Sequence, residues 1–225
     1  MRKYVLMLAL AMPLTAAAQF FDHFEGNELA GHWRFFSEGT QWEHNVSDSM
    51  LHVTRLFGGP PGLRQVYLFA RLDPLADFEM TVLMGWDEAE FHRLQVRILR
   101  SLALPSFSSI GVVNYEARPS WETPLATAWF NGAGSNSIPA PRSGMHEFRM
   151  ARTGDSMTAH FDGQLIHQGS GVVTDEARWV MFEFVSDEDL QFAPLHVDMI
   201  QLVPEPATFV ILGIGAICAM LRRRR

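Results

Sequence analysis

Phe78, Met80, Val82, Met84 and Trp86 alternate with Glu79, Thr81 and Leu83. A period of two marks a strand with one face in a core. The same alternation returns twice: Leu94, Val96 and Ile98 against Arg93, Gln95 and Arg97, and Phe148 and Met150 against Glu147 and Arg149. Met157, Ala159 and Phe161 continue it after the turn signal Thr153-Gly154-Asp155, and Asp162-Gly163 predicts a two-residue hairpin loop into residues 164–168. Val180, Phe182 and Phe184 mark a further strand whose other side, Trp179 and Met181, is also apolar, as in a strand covered on both faces. Residues 196–203 close the series. No long run of period 3.6 interrupts it; only residues 87–92 could form a helical turn. The Gly/Pro stretch 58–62 reads as a loop, and residues 132–141, rich in Gly, Ser and Pro, as a longer one. About a dozen short strands in roughly 180 residues predict an all-β fold, a two-sheet antiparallel sandwich or jelly roll.

Both ends depart from this alternation. Arg2 and Lys3 precede an apolar stretch over residues 4–14, and Ala16-Ala17-Ala18 offers a small-residue cleavage site. That is the pattern of a signal peptide, residues 1–18, with Gln19 as the new first residue. At the other end Pro204 and Pro206 separate the tail from what precedes it. The uncharged run that follows is 15 residues, 207–221. It is shorter than the ~20 residues a comfortable span needs, but local thinning of the bilayer accommodates it. Arg222, Arg223, Arg224 and Arg225 would then lie on the cytoplasmic side. The expected organisation is a signal peptide over 1–18, a β-sandwich over 19–202, and a sorting and anchor segment with one transmembrane helix over 203–225.

Pro204-Glu205-Pro206, the short apolar segment and the terminal arginine cluster together resemble the PEP-CTERM sorting signal of Gram-negative bacteria. The resemblance implies transient processing by an exosortase, a membrane-embedded cysteine-dependent transpeptidase. It also implies export through the inner membrane and a final place on the cell surface or in the extracellular matrix of exopolysaccharide-producing, biofilm-forming bacteria. A second resemblance covers most of the remaining chain. Phe21-Asp22-His23-Phe24-Glu25-Gly26 with Leu29 and Trp33 is similar to the opening of concanavalin A-like (laminin-G-like) jelly rolls, His23 standing where a second acid is usual. Trp42, residues 48–53, the paired strands over 146–168 and Val197-Asp198-Met199-Ile200 continue in the same style. That fold hosts lectins, glycosidases, adhesion modules and structural domains.

The span 19–221, without the basic residues at the two ends, has twelve arginines, no lysine and 25 acids, a net charge of −13. Nucleic acid is excluded as a partner, since it needs a basic footprint. The one cysteine, Cys218, lies in the apolar tail, so the exported domain has no disulfide and stands on its core. Glucanases of the resembled fold carry a strand with closely spaced acids, Glu-x-Asp-x-Glu or Glu-x-Asp-x-x-Glu. No such spacing occurs here; Glu183 is followed by Phe184-Val185-Ser186-Asp187. The chain is therefore expected not to be an enzyme. The expected function is that of a surface or matrix protein whose sandwich binds polysaccharide or other envelope components. The alternative is a glycan-active hydrolase or lyase with a divergent site.

Three further sets of residues are candidates. Trp86, Trp121 and Trp129 fall near loops or strand ends and could hold sugar rings, while Trp33, Trp42 and Trp179 read as core. Calcium, a cation that takes six to eight oxygens, could be held by Asp187, Glu188 and Asp189, by Asp87, Glu88 and Glu90, or by Asp22 with Asp198. His23, His32, His44 and His52 lack metal-ligand spacing, and His146, His160 and His167 do not share a face; all read as scattered surface histidines. Asn45-Val46-Ser47 matches a glycosylation sequon, discounted because the sorting signal is bacterial.

Overall fold

The structure, a computed structural model, describes residues 20–37, 42–55, 64–87, 92–102, 108–118, 120–186 and 195–204. Fifteen strands account for most of them. They are β1 (Phe20–Asp22), β2 (Trp33–Ser37), β3 (Trp42–Ser47), β4 (Met50–Arg55) and β5 (Arg64–Leu75). Next come β6 (Phe78–Trp86), β7 (His92–Ser101), β8 (Ser108–Ala117), β9 (Leu125–Phe130) and β10 (Gly134–Pro139). The last five are β11 (Gly144–Thr153), β12 (Ser156–Phe161), β13 (Gln164–Ser170), β14 (Ala177–Ser186) and β15 (Leu195–Pro204). Every pairing is antiparallel.

They form two sheets, the all-β sandwich that the alternation predicts. One sheet has eight strands in the order β13-β12-β11-β6-β15-β4-β3, with β1 added against β15; the other has seven, β10-β9-β8-β7-β14-β5-β2. The inward residues are the alternating ones: Phe78, Met80, Val82, Met84, Phe148 and Met150 from the first sheet meet Leu94, Val96, Ile98, Val113, Phe182 and Phe184 from the second, all fully buried. Burial of such side chains, at roughly 25 cal/mol per Å² of apolar surface, is the main force holding the sheets together. Gly111 on β8 marks a close approach. A Cβ there would stand 2.7 Å from the Met150 sulfur and 2.7 Å from the Met157 methyl of the facing sheet.

Local chemistry fixes the turns. Asp162 (φ 48°) and Gly163 (φ 78°) both take left-handed backbone, and Phe161 pairs with Gln164. This is the two-residue hairpin that Asp-Gly predicts. The Asp162 carboxylate accepts from the Glu147 amide at 2.9 Å and from His146 Nδ1 at 2.7 Å, tying the turn to β11. At the chain's start, Asp22 is buried and accepts from the Phe24 amide at 2.6 Å and from Trp33 Nε1 at 2.7 Å. His32 Nε2 lies 3.0 Å from the same carboxylate.

Some expectations need correction. Residues 132–141 are not one loop: β10 occupies their centre and pairs with β9 from Gly134↔Phe130 to Pro139↔Leu125. An edge strand needs only one ladder, so polar residues and a terminal proline are tolerated there. Ile138 is the one residue of β10 that is buried. His92 opens β7 rather than ending a helical turn. Residues 88–91, the stretch 58–62, the expected signal peptide over 1–18, and the tail from Glu205 through Pro206 to Arg222–Arg225 lie outside the described residues. Among the described residues no helix is long and apolar enough to cross a membrane.

Candidate functional site

While Leu94, Val96 and Ile98 of β7 face the core, Arg93, Gln95 and Arg97 face out. Register places their neighbours. Phe36, Tyr67, Glu183, Gln95, Asn114, Thr127 and Ser137 are successive cross-strand partners on β2, β5, β14, β7, β8, β9 and β10. One row of hydroxyl, carboxylate and amide groups therefore crosses the outer face of the seven-stranded sheet.

The row has a charged centre. Glu183 is buried between two guanidinium groups, its Oε2 2.5 Å from Arg97 and its Oε1 3.6 Å from Arg93. Two residues along β7 in either direction from Gln95, these arginines flank the carboxylate from above and below. The Nε–H groups of Arg93 and Arg97 and the Ser109 hydroxyl are buried without a hydrogen-bond partner among the described residues. Buried donors of this kind cost free energy unless water or a ligand meets them.

Aromatic rings stand at both ends of the face. On one side Phe36 stacks on Tyr67 with centroids 6.3 Å apart, and Phe69 meets Trp179 edge-on at 6.2 Å. On the other, Trp129 of β9 is 39% exposed. It borders an open groove of about 580 Å³ lined also by Gln95, Arg97, Arg100, Asn114 and Thr127. At the usual strand spacing, β5 and β9 lie about 19 Å apart, room for several sugar rings in line.

The candidate tryptophans are thus separated. Trp129 is on this face. Trp121 lies in the β8–β9 connection, with the Arg118 guanidinium 5.0 Å from its ring centroid. Trp86 is corrected: it is 1% exposed, stacked 3.6 Å from Tyr115 and 4.9 Å from His146, and offers no ring face to a ligand. Position at a strand end in the sequence did not mean position at the surface. Trp33 and Trp42 are in the core, whereas Trp179 is half-buried on the outer face.

Among the acids, Asp187, Glu188, Asp189, Glu88 and Glu90 lie outside the described residues. Asp22 is taken up by its three internal donors rather than held open for calcium. The described residues contain no group of three or more His, Cys, Asp or Glu side chains arranged around a metal position. Nor are the histidines all scattered: His52 and His196, 144 residues apart, meet at 2.8 Å. Sequence reasoning missed Tyr67, Gln95, Asn114 and the two flanking arginines as a group. The polar side of β7 was visible as an alternation, but its partners required the register of six other strands.

Residues 202–225 match the model of the PEP-CTERM protein-sorting motif, which marks an exported protein sorted at the membrane and processed by an exosortase. No curated protein matches the chain in sequence. Many solved structures share its fold. The laminarinase from Rhodothermus marinus is 13% identical, with a TM-score of 0.63 over 83% of this chain and 96% of that one. The laminarinase catalytic domain from Thermotoga maritima is 13% identical, with a TM-score of 0.60 over 84% and 98%. The CBM2 module of the evolved Dit protein of Lactobacillus casei phage J-1 is 9% identical, with a TM-score of 0.61 over 82% and 94%. The expectation that the chain is not an enzyme is corrected by these laminarinases: a missing acid spacing does not exclude hydrolysis on a fold that hydrolases share. The chain therefore carries a concanavalin A-like jelly-roll sandwich whose last strand runs directly into a PEP-CTERM sorting motif.

Proposed function

We propose that this is an exported, glycan-active protein that lays a polysaccharide along the outer face of its seven-stranded sheet, with Glu183 as the carboxylate for cleavage chemistry. The observation that carries the reading is the row Tyr67–Glu183–Gln95–Asn114–Thr127 with aromatic rings at both ends. Sugar rings are apolar on their faces and polar at their rims, so they want aromatic platforms beside hydroxyl, amide and carboxylate groups. Glycoside cleavage uses two carboxyl groups. Glu116, on β8, is the other carboxylate at the centre of this face among the described residues, and its Oε1 is 2.5 Å from Arg118.

The test is a panel of envelope and storage polysaccharides with the full-length protein. Trp129→Ala is expected to weaken binding about tenfold, or about 1.4 kcal/mol, with little change in melting temperature because the residue lies on the outer face of the sheet and is outside the core. Glu183→Gln should retain binding and release no sugar. A wild-type protein that neither binds nor cuts any glycan of the panel would retire the proposal.

The destination follows from the tail. The proposed sequence of events is signal-peptide removal, insertion through the C-terminal segment, exosortase processing, and display at the surface or in the matrix. Intact mass of the protein recovered from its native host should show a species beginning at Gln19 and lacking Arg222, Arg223, Arg224 and Arg225. An inner-membrane species that keeps all four arginines would make the tail a plain anchor.

A further inference from the structure

On the outer face of the eight-stranded sheet another register row joins Asn45, His52, His196, Gly85 and Met145, from β3, β4, β15, β6 and β11. His52 and His196 are direct partners on neighbouring strands, with ring centroids 4.8 Å apart. Their Nδ1 atoms are 2.8 Å apart. The other nitrogen of each ring faces an acceptor. His52 Nε2 donates to the Ser47 carbonyl at 3.1 Å, and His196 Nε2 is turned toward Asp87 Oδ2 at 3.7 Å.

This arrangement has an electrostatic consequence. A neutral imidazole carries one proton. In the neutral pair one ring's proton lies between the two Nδ1 atoms as a hydrogen bond. With the protons held on Nε2, where His52 has its acceptor, both Nδ1 lone pairs converge, and their 2.8 Å separation is the bite of two neighbouring ligands at the usual ~2.0 Å metal–nitrogen distance.

We propose that His52 and His196 bind a divalent transition-metal cation through their Nδ1 atoms, copper(II) in preference to zinc(II). Neutral imidazole suits both metals, and the general order of complex stability places copper(II) above zinc(II). An Nε2–H directed at a carbonyl or carboxylate is the outer-shell contact that orients metal-bound histidine. Gly85 adds a soft donor to the row. Having no side chain, it leaves its place to the Met145 thioether, whose sulfur a Cβ at Gly85 would strike. With two imidazole ligands, the remaining coordination positions go to water, and the ion is exchangeable.

The experiment is a copper(II) chloride titration of the full-length, untagged protein in detergent micelles, followed by electron paramagnetic resonance, with zinc(II) as competitor. One equivalent should bind with hyperfine structure from two imidazole nitrogens. His52→Ala and His196→Ala should each weaken binding at least about tenfold while the metal-free melting temperature holds. Asp87→Asn should weaken it less. Absence of saturable binding, or an affinity indifferent to both histidine substitutions, overturns the proposal. Should either variant fail to fold, the wild type decides. Sub-stoichiometric copper(II) that broadens the imidazole resonances of His52 and His196 supports the site, and broadening confined to other histidines overturns it.

Discussion

Arg152→Met is expected to destabilise the sandwich by about 3–5 kcal/mol, lowering the melting temperature by roughly 10 °C for a domain of this size. Arg152 is fully buried at the end of β11. One of its terminal nitrogens donates to the carbonyls of Val173 at 3.3 Å and Asp175 at 2.7 Å. The other donates to Leu75 at 3.0 Å and to Ala76. The guanidinium also lies 5.1 Å from the centroid of the Phe78 ring. A single side chain thus joins the β5–β6 turn to the segment leading into β14. Burial pulls its pKa down, and the charges of Asp77 and Asp175 partly restore it.

Buried charges can often be replaced by apolar groups at little cost when both partners leave together. Here the partners are backbone carbonyls and cannot leave. Methionine fills a similar volume but returns none of the donors, so the carbonyls lose their partners inside the protein, a penalty of about 1–3 kcal/mol for each left unsatisfied. Water reaching some of them keeps the total nearer the lower end of that sum. Arg152→Lys should recover less than half of the loss, because a point donor cannot span both pairs of acceptors. A methionine variant as stable as wild type in urea denaturation would show that the carbonyls find other partners.

Asp22→Ala is the second large effect, about 2–4 kcal/mol, since it removes charge-assisted hydrogen bonds worth about 1.5–3 kcal/mol each and leaves a buried indole donor bare. Asp22 fixes the entry of the chain. Its carboxylate holds the Phe24 amide, which sits at the left-handed φ of 52°, and the Trp33 indole, which packs 5.7 Å from Phe182 in the core. Asp22→Asn keeps an acceptor for one of the two and should cost about half as much. Amide exchange distinguishes the mechanism: the Phe24 amide should lose protection in the alanine variant while the centre of β14 keeps it. Equal protection of Phe24 in both proteins would sink the argument.

The faces of the strands were legible in the sequence because a period of two is a local property. Partners were not. Nothing in residues 78–86 says that β6 lies between β11 and β15, and nothing near Gln95 names Asn114 or Glu183 as its neighbours. The candidate site is made of such pairings, so only Trp129 and Glu183 could be singled out beforehand, each without its surroundings. β10 escaped because Gly, Ser, Asn and Pro signal a loop, although an exposed edge strand asks little of its side chains. Arg152 falls on the inward side of the 148–150 alternation, but that a charge can be buried there depends on carbonyls more than seventy positions away or twenty ahead. The sorting motif was legible throughout, being a contiguous pattern read by another protein rather than by folding.

Strand β15 supplies the first residues of the sorting motif, so the tail follows the sheet with no spacer between them. It is an interior strand, laddered along one side to β6 and along the other to β4 and then β1. Tension carried by a tethered tail would enter the molecule at Pro204 and run along the strand. Both ladders would then be loaded in shear, many hydrogen bonds sharing the force at once, instead of being peeled one after another. The attachment point is therefore a strand supported along both sides, a suitable place to hold a tethered domain.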